Sequence, residues 1–475
     1  MPDQDRYSPT EVRNQIRKQE TQAELKRISD AMNDWLCLQR DMDRDGQEYV
    51  GRHKSQLEAI ESLLSGAIAP LKKQIDDSEP GLDSASFYSA FRAYDEAIVG
   101  LERVWQYFRD KLDQRVEGRR ERPVLRAADE VVWSCYRPVI SRVFGNAGPM
   151  PSPPPLAYVA PEYSPAALQS DRPPASLMMT ADLEFLQGFM KNLPVALLRL
   201  PPWIVASPWW LVYVAHEVGH FVQKDLKLIA WFAAGVRNAA GQSGQLNPSE
   251  LDKWSKWGEE IFADAFSIMM MGPWAILGIL EAEWSRPDQM VRRKPEYPSP
   301  AIRLALMRAC ARKVAGSLRE SWCDPLSELD LDAIAAADPA ARRDWSAVDP
   351  VSGFVLGPMR DGIGTLQSLC GVEAGIFADG GTVKRLSQDI DRPGAPVQRS
   401  LDRPRHLASA SLQAWARWRA GGATAAESRA NLVARTTEYI ARSGEQKTRS
   451  RLMPSVNIQG SGADLLKQLL QRADE

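Results

Sequence analysis

The chain has 475 residues, of which 44% are hydrophobic and 25% charged, and its formal net charge is −2. This is ordinary globular composition with room for two or three domains, and it excludes a fibrous or wholly disordered chain. The near-neutral charge gives no reason to expect nucleic acid or an anionic membrane surface as a partner.

The five cysteines are scattered over positions 37, 135, 310, 323 and 370. An odd number without a CxxC pair argues against a disulfide framework and a cysteine-built zinc site, and it favours a reducing compartment. The N-terminus lacks an apolar stretch after a basic start. The most apolar segment, 268–280, is too short to span a bilayer. We therefore expect a cytoplasmic protein with no membrane span.

Residues 1–145 are predicted to form a helical N-terminal domain, either a bundle or a long hairpin. Helices are expected over about 10–40, 46–76, 84–117 and 123–144, where apolar residues recur at helical spacing. Such a domain is either a structural arm or a module that binds a protein partner or regulator. The proline-rich stretch 146–176 that follows is interpreted as a linker with one short extended piece at 156–159.

Residues 177–315 are predicted to be the catalytic core. A strand is expected at 195–200. Two serine- or asparagine-proline pairs, Ser207-Pro208 and Asn247-Pro248, predict helices that run to about residue 223 and residue 271. The rest of the chain, 316–475, is predicted to be mixed and mostly helical, with a strand at 353–356 and helices over 402–442 and 462–473.

The central motif is His216-Glu217-Val218-Gly219-His220, an HExxH pattern inside a predicted helix. Positions four apart lie on one helical face, so both imidazoles can reach one cation. Glu217 stands beside them and can take a proton from an attacking water, the general-base role in a metalloprotease helix. The chain has only four histidines, so a chance match in this arrangement is rare.

A third ligand is expected because a catalytic zinc site uses three protein ligands and keeps one open position. Forty residues after His220, Glu260 and Asp264 lie four apart in a predicted apolar helix, and Glu259 would point away. Acids on such a helix are better explained by a partner than by water. We predict that Glu260 ligates Zn²⁺ and that Asp264 accepts a hydrogen bond from a ligand histidine. The small Ala263 would let the two helices approach closely.

These residues resemble the signature of the gluzincin metallopeptidases, HExxH followed by ExxAD, and the match includes families such as the ImmA/IrrE-type peptidases. The segment Tyr297-Pro298, with Arg303 six residues after the tyrosine, resembles a further motif of related gluzincins in which histidine is commoner than tyrosine. The resemblance covers about residues 195–310. It implies a zincin-like core within a mainly α (α+β) fold, and it implies that Asp264 supports His216.

The resemblance also implies that an extended substrate pairs with an edge strand just before the active helix, and 195–200 is the candidate. A core strand or part of a helix is the alternative for this segment. The oxyanion of the transition state needs a further donor, for which Tyr297 is preferred over Arg303, Tyr213 and His406. Trp209 and Trp210 are either core residues or part of a specificity pocket.

Together these features predict a zinc-dependent peptidase that acts on a peptide or protein substrate. Two alternatives stay open. One is a zinc-dependent hydrolase of a non-peptide amide or ester. The other is a non-catalytic scaffold or binding protein that keeps the zinc fold, although Glu217 would then have no role.

Overall fold

The computed structural model describes residues 9–45, 53–80, 83–145, 151–162, 165–168, 195–392, 404–420, 426–443 and 461–471. Helices dominate these residues and the strands are short, which confirms the predicted fold class, mainly α with a small β component. None of the described helices is long and apolar enough to cross a membrane. Parts of the predicted helices, at 46–52, 402–403, 421–425 and 472–473, lie outside the described residues.

The first four helices are long and follow one another with short connections. They are α1 (Pro9–Asp45), α2 (Lys54–Asp77), α3 (Ser84–Leu112) and α4 (Arg122–Phe144). Helices α1 to α3 enclose one hydrophobic core with aromatic residues such as Phe87 and Phe91 at its centre, and α4 belongs mainly to a second core. Helical periodicity places these apolar residues on one face of each helix.

The last described helix, Ser461–Gln471, returns to this N-terminal bundle and packs against α2 and α3. Its backbone touches α2, because a Cβ added at Gly462 would lie 2.6 Å from the Cα of Gly66. The side chain of Leu469 fills the space beside Gly100. The bundle core is therefore completed by residues that lie more than 300 positions later in the chain.

A three-stranded sheet lies between the bundle and the rest of the molecule. Its strands are β1 (Leu156–Val159), β2 (Ala166–Leu168) and β3 (Leu197–Leu200), in the order β1-β3-β2. Strand β3 is parallel to β1 and antiparallel to β2. Successive side chains alternate between the two faces. Leu197 joins the bundle core, and Leu198 joins the second core.

The predicted strand at 195–200 is thus present, but the prediction that it forms an edge is wrong. It has a neighbour on each side, so its own hydrogen-bonding groups are occupied. The described edge strand that contacts the helix of His216 and His220 is β2. Strands β1 and β2 both come from the proline-rich stretch that the sequence suggested was a linker, so this stretch contributes two strands to the sheet.

The helices that follow β3 form the second core and carry the candidate site. They are α5 (Tyr213–Asp225), α6 (Ile229–Gly241), α7 (Pro248–Lys256), α8 (Gly258–Met271), α9 (Trp274–Glu283), the single turn α10 (Pro287–Met290) and α11 (Pro300–Leu318). The predicted helix from 207 begins as a 3₁₀ helix, Pro208–Val212, before α5 starts. Ser207 does not cap it with its side chain.

The predicted helix from Asn247 to 271 is divided into α7 and α8. Asn247 caps α7 in a capping box with Glu250, as the Asn-Pro pair suggested. Trp257 separates the two helices with φ −75° and ψ −4°. Gly258 then packs against the backbone of Ala233, where a Cβ would lie 3.0 Å from the Cα. Helix α8 ends at Gly272, whose φ of +62° suits glycine.

The C-terminal region is helical apart from a two-stranded ribbon, Pro358–Met359 and Gly364–Thr365. Its helices are Leu331–Ala336, Pro339–Trp345, Val348–Leu356, Leu366–Cys370, Thr382–Asp391, Pro404–Ala420 and Ala426–Arg442. The predicted strand at 353–356 is wrong, since these residues end a helix that packs on α11. A short buried apolar run fits a helix as well as a strand.

Candidate metal centre

Helices α5 and α8 pack tightly, and this contact sets the geometry of the site. Gly219 on α5 faces Ala263 on α8, where an added Cβ would lie 2.9 Å from the Cα of Ala263 and 3.3 Å from the side chain of Phe266. Only a residue without a side chain allows this approach. The contact fits the prediction that the small Ala263 lets the helices approach closely, and the matching role of Gly219 was not predicted.

The close packing brings His216, His220 and Glu260 into one cluster. One ligand atom from each of the three lies within 4.8 Å of the others. Oε2 of Glu260 is 3.2 Å from Nε2 of His216 and 3.6 Å from Nε2 of His220. Both histidines are buried, and Glu260 is only slightly exposed. Among the described residues, no other group of histidine, cysteine and acidic side chains converges in this way.

A hydrogen-bonded chain leads outward from His216. Its Nδ1 lies 2.9 Å from Oδ1 of Asp264. Asp264 also accepts two hydrogen bonds from Arg303, at 2.7 Å from Nε and 2.8 Å from Nη2. Arg303 in turn donates to Glu283 at 3.1 Å. This places Asp264 where the sequence predicted it, and it removes Arg303 from the candidate oxyanion donors because its guanidinium is occupied.

The tautomer of His216 follows from this chain. An ionised carboxylate can only accept, so the 2.9 Å contact with Asp264 requires that Nδ1 of His216 carries a hydrogen. In a neutral imidazole Nε2 is then a lone pair, and it faces an oxygen lone pair of Glu260 at 3.2 Å. Two facing lone pairs repel unless a proton or a metal cation lies between them.

The protonation of the metal-free site reflects the same arrangement. Burial disfavours the imidazolium of His216, but hydrogen bonds to Asp264 and Glu260 outweigh this and raise its pKa to about 10. Burial also opposes ionisation of Asp264, yet Arg303 holds its pKa well below the usual range. His220 has no such partner, and burial lowers its pKa. A proton on Nε2 of His216 therefore separates its lone pair from that of Glu260.

The distances fit a tetrahedral zinc site. Ligand atoms at about 2.0–2.1 Å from zinc are about 3.3–3.4 Å apart along the edge of a tetrahedron. The observed separations of 3.2 and 3.6 Å from Glu260 bracket this value. Apart from the two histidine nitrogens, Oε2 of Glu260 has no hydrogen-bond partner in the described structure, as expected for an atom that binds a cation together with them. The donor set, two imidazoles and one carboxylate, also suits zinc.

Glu217 lies beside the cluster and outside its ligand set. Its side chain is buried, and this burial raises its pKa to about 7. The backbone of Ala167 in β2 lies next to its carboxylate and favours the ionised form. The edge strand therefore reaches the residue predicted to be the general base. This contact could not be predicted from the sequence, because a three-residue strand in a proline-rich stretch shows no strand periodicity.

Tyr297 lies at the same site. Its ring stacks on the guanidinium of Arg303, 4.9 Å from the ring centroid. It lines a cavity of about 790 Å³ together with Glu260. Burial raises the pKa of its hydroxyl, and the nearby Glu260 adds to this effect. The hydroxyl is therefore protonated at neutral pH and available as a donor.

The other predicted candidates are engaged elsewhere. Tyr213 donates its hydroxyl hydrogen to the carbonyl of Gly278 at 2.7 Å. His406 is buried against the ring of Phe377. Trp209 is buried and stacks on Trp415, which fits the core interpretation and not a specificity pocket.

Comparison of the chain with protein-family models, with curated proteins and with solved structures finds no match. The function of the chain must therefore be inferred from the residues and the geometry of this site.

Proposed function

We propose that this chain is a zinc-dependent peptidase of the gluzincin type, with His216, His220 and Glu260 as metal ligands. The observation that carries the proposal is the convergence of these three side chains, with the two separations from Glu260 close to the edge of a tetrahedral zinc site. The additional presence of Glu217 and Tyr297 around the same point favours catalysis over a purely structural site, since neither is needed to hold a metal.

A bound zinc ion would supply Lewis acidity and would make an attacking water a better nucleophile at neutral pH. Glu217 would accept the proton of this water and pass it to the leaving amine. Burial, which raises the pKa of Glu217 in the metal-free chain, favours return of the proton, while a nearby dication would favour the ionised form that first accepts it. Asp264 would keep the ring of His216 fixed through Nδ1.

Tyr297 is the proposed donor to the oxyanion that develops on the substrate carbonyl. Its position in the wall of the cavity that Glu260 also lines supports this role. A neutral hydroxyl aimed at this point would stabilise negative charge in the transition state more than in the ground state.

The edge strand β2 supports a peptide as substrate. Its inner side pairs with β3, and its outer side is not paired in the described structure. The backbone of Ala167 on this strand lies next to Glu217, so the strand passes next to the proposed general base. An extended peptide that added to β2 would present its backbone carbonyls at the metal centre. This replaces 195–200 as the proposed substrate-binding strand.

Metal analysis and cleavage assays test the proposal together. We expect the wild type and the Glu217→Gln variant to bind one zinc ion, and the His216→Ala and Glu260→Gln variants to lose it. Glu259→Gln is the matched control for Glu260, because it removes the same charge one residue away. Cleavage of a complex peptide mixture, mapped by mass spectrometry, should occur with the wild type and not with Glu217→Gln.

Two results would contradict the proposal. Absence of stoichiometric zinc in the wild type would remove the metal centre. Bound zinc without cleavage of any peptide would instead favour a non-peptide amide or ester, or a non-catalytic role.

A further inference from the structure

The cavity beside Glu260 has strongly charged walls. Its volume is about 790 Å³, and it lies between α7, the first turn of α8 and the segment 293–297. Four of its lining side chains are basic, namely Lys253, Lys256, Arg293 and Lys294. The acidic side chains are Glu259 and Glu260 at the end next to the histidines, and Glu296 on the segment opposite α7.

Two of the four basic side chains are neutralised by neighbours. Arg293 contacts Asp344 at 2.7 Å and Glu250 at 3.2 Å. Lys294 contacts Glu283 at 2.7 Å. These contacts fix the segment 293–297 against the core, and they leave little charge free for a ligand.

Lys253 and Lys256 differ from this pair. Both are exposed, and neither has an ion-pair partner within the described part of the chain. They lie three residues apart on α7 and so share one face of the helix. Their ammonium groups can therefore bind a negatively charged group of a ligand in the cavity.

The position of these lysines relative to the metal ligands follows from helix geometry. Trp257, which separates the two helices, stays in the right-handed helical region with a φ of −75°. Helix α7 therefore continues into α8 after this one residue. At about 1.5 Å per residue, Lys256 lies about 6 Å and Lys253 about 10 Å along the axis from Glu260. An extended peptide advances about 3.3 Å per residue. The lysines therefore lie at distances from Glu260 that about two and three residues of an extended peptide would span.

We propose that Lys253 and Lys256 form a subsite that binds a carboxylate of the substrate two or three residues from the cleaved bond. The carboxylate is either an acidic side chain or the free C-terminal group of a short peptide. This inference rests on the proposed peptidase function. Each exposed lysine–carboxylate pair contributes up to about fivefold in affinity, which gives an upper limit of about 25-fold for the two lysines. We expect about tenfold.

Peptide hydroxamates test the subsite without knowledge of the natural substrate, since the hydroxamate binds zinc directly. One series carries Asp, Asn or Lys two and three residues from the hydroxamate, with the hydroxamate at either end. A second series ends in alanine with a free or an amidated C-terminus. Dissociation constants are measured by calorimetry with the zinc-loaded full-length chain at low and high salt.

The expected result is about tenfold tighter binding of the Asp peptide than of the Asn peptide, or of the free acid than of the amide. High salt should reduce the difference. The Lys253→Glu/Lys256→Glu variant should reverse the preference and favour the Lys peptide. The matched control is Lys73→Glu/Lys384→Glu, which changes the same charge at exposed positions outside the cavity and should keep the wild-type preference.

The outcomes separate the two proposals. If all hydroxamates bind equally and the lysine variant has no effect, the carboxylate subsite is wrong while the zinc site stands. If the chain holds no zinc and no hydroxamate binds, the proposed function itself fails. A preference that persists in the lysine variant would show that other residues select the substrate.

Discussion

The packing of Gly219 against Ala263 offers the most direct test of how the metal centre is assembled. A methyl group at position 219 would lie 2.9 Å from the Cα of Ala263 and 3.3 Å from Phe266. The first contact is with backbone, which cannot rotate away as a flexible side chain would. Helix α8 must therefore move outward in the Gly219→Ala variant, and Glu260 moves with it.

The expected size of the effect follows from these distances. An ordinary carbon–carbon contact requires about 3.5–4.0 Å, so the helices must separate by about 0.5–1 Å. Glu260 Oε2 now lies 3.2 and 3.6 Å from the two histidine nitrogens. A shift of this size would lengthen the second separation to about 4.1–4.6 Å, well above the tetrahedral edge of about 3.3–3.4 Å. Overpacking of this kind costs about 1–3 kcal/mol in unfolding free energy. We expect zinc to bind at least about tenfold more weakly.

Chelator competition measures the zinc affinity, and urea denaturation of the metal-free chain measures the unfolding free energy. Gly316→Ala is the control, because it lies in helix α11 with open space around it. It should keep its zinc affinity and gain up to about 1 kcal/mol in stability. A Gly219→Ala variant with wild-type zinc affinity would refute the reasoning, since the close helix contact would then not position Glu260.

Three further predictions concern the residues around the metal ligands. Arg303→Met should lower the unfolding free energy by about 3–5 kcal/mol, because Asp264 would become a buried carboxylate without its cation; a loss below about 1 kcal/mol in urea denaturation would contradict this. Tyr297→Phe should reduce kcat about a hundredfold with little change in KM, and an unchanged kcat would exclude Tyr297 as the oxyanion donor. Zinc affinity should rise about tenfold per pH unit from pH 7 to pH 9, because the proton held by His216, with its pKa of about 10, must leave on metal binding. Calorimetry in buffers of different ionisation enthalpy measures that proton, and a flat pH profile would contradict its presence.

Local periodicity was enough to predict the core of the site. The i, i+4 spacing in a helix determines that His216 and His220 share a face, whatever the rest of the fold. The same rule placed Glu260 and Asp264 together on α8. The contact between the two helices is also visible in the sequence, since small residues occupy positions 219 and 263 where the backbones meet.

Non-local pairing could not be predicted in the same way. Strand β2 has three residues, Ala166–Leu168, and its partner lies about 30 positions later in β3. Nothing in so short a segment indicates which strand it joins or that it covers the edge of β3. The prediction of β3 as the edge strand failed for this reason. The network of Arg303 and Glu283 was missed because it depends on how α9 and α11 cross, which side-chain spacing does not specify.

The charge balance of the site gives an independent reason to expect a divalent cation. Glu217, Glu260, Asp264 and Glu283 bring four carboxylates to one slightly exposed region, while Arg303 is its one buried guanidinium within the described structure. Lys294 offsets part of the charge of Glu283 from the surface. Buried carboxylates of this number are costly unless cations compensate for them. Protons on His216 and Glu217 reduce the excess in the metal-free chain, as their raised pKa values indicate. A dication among His216, His220 and Glu260 would remove the need for both protons and would leave Glu217 ionised, ready to act as a base.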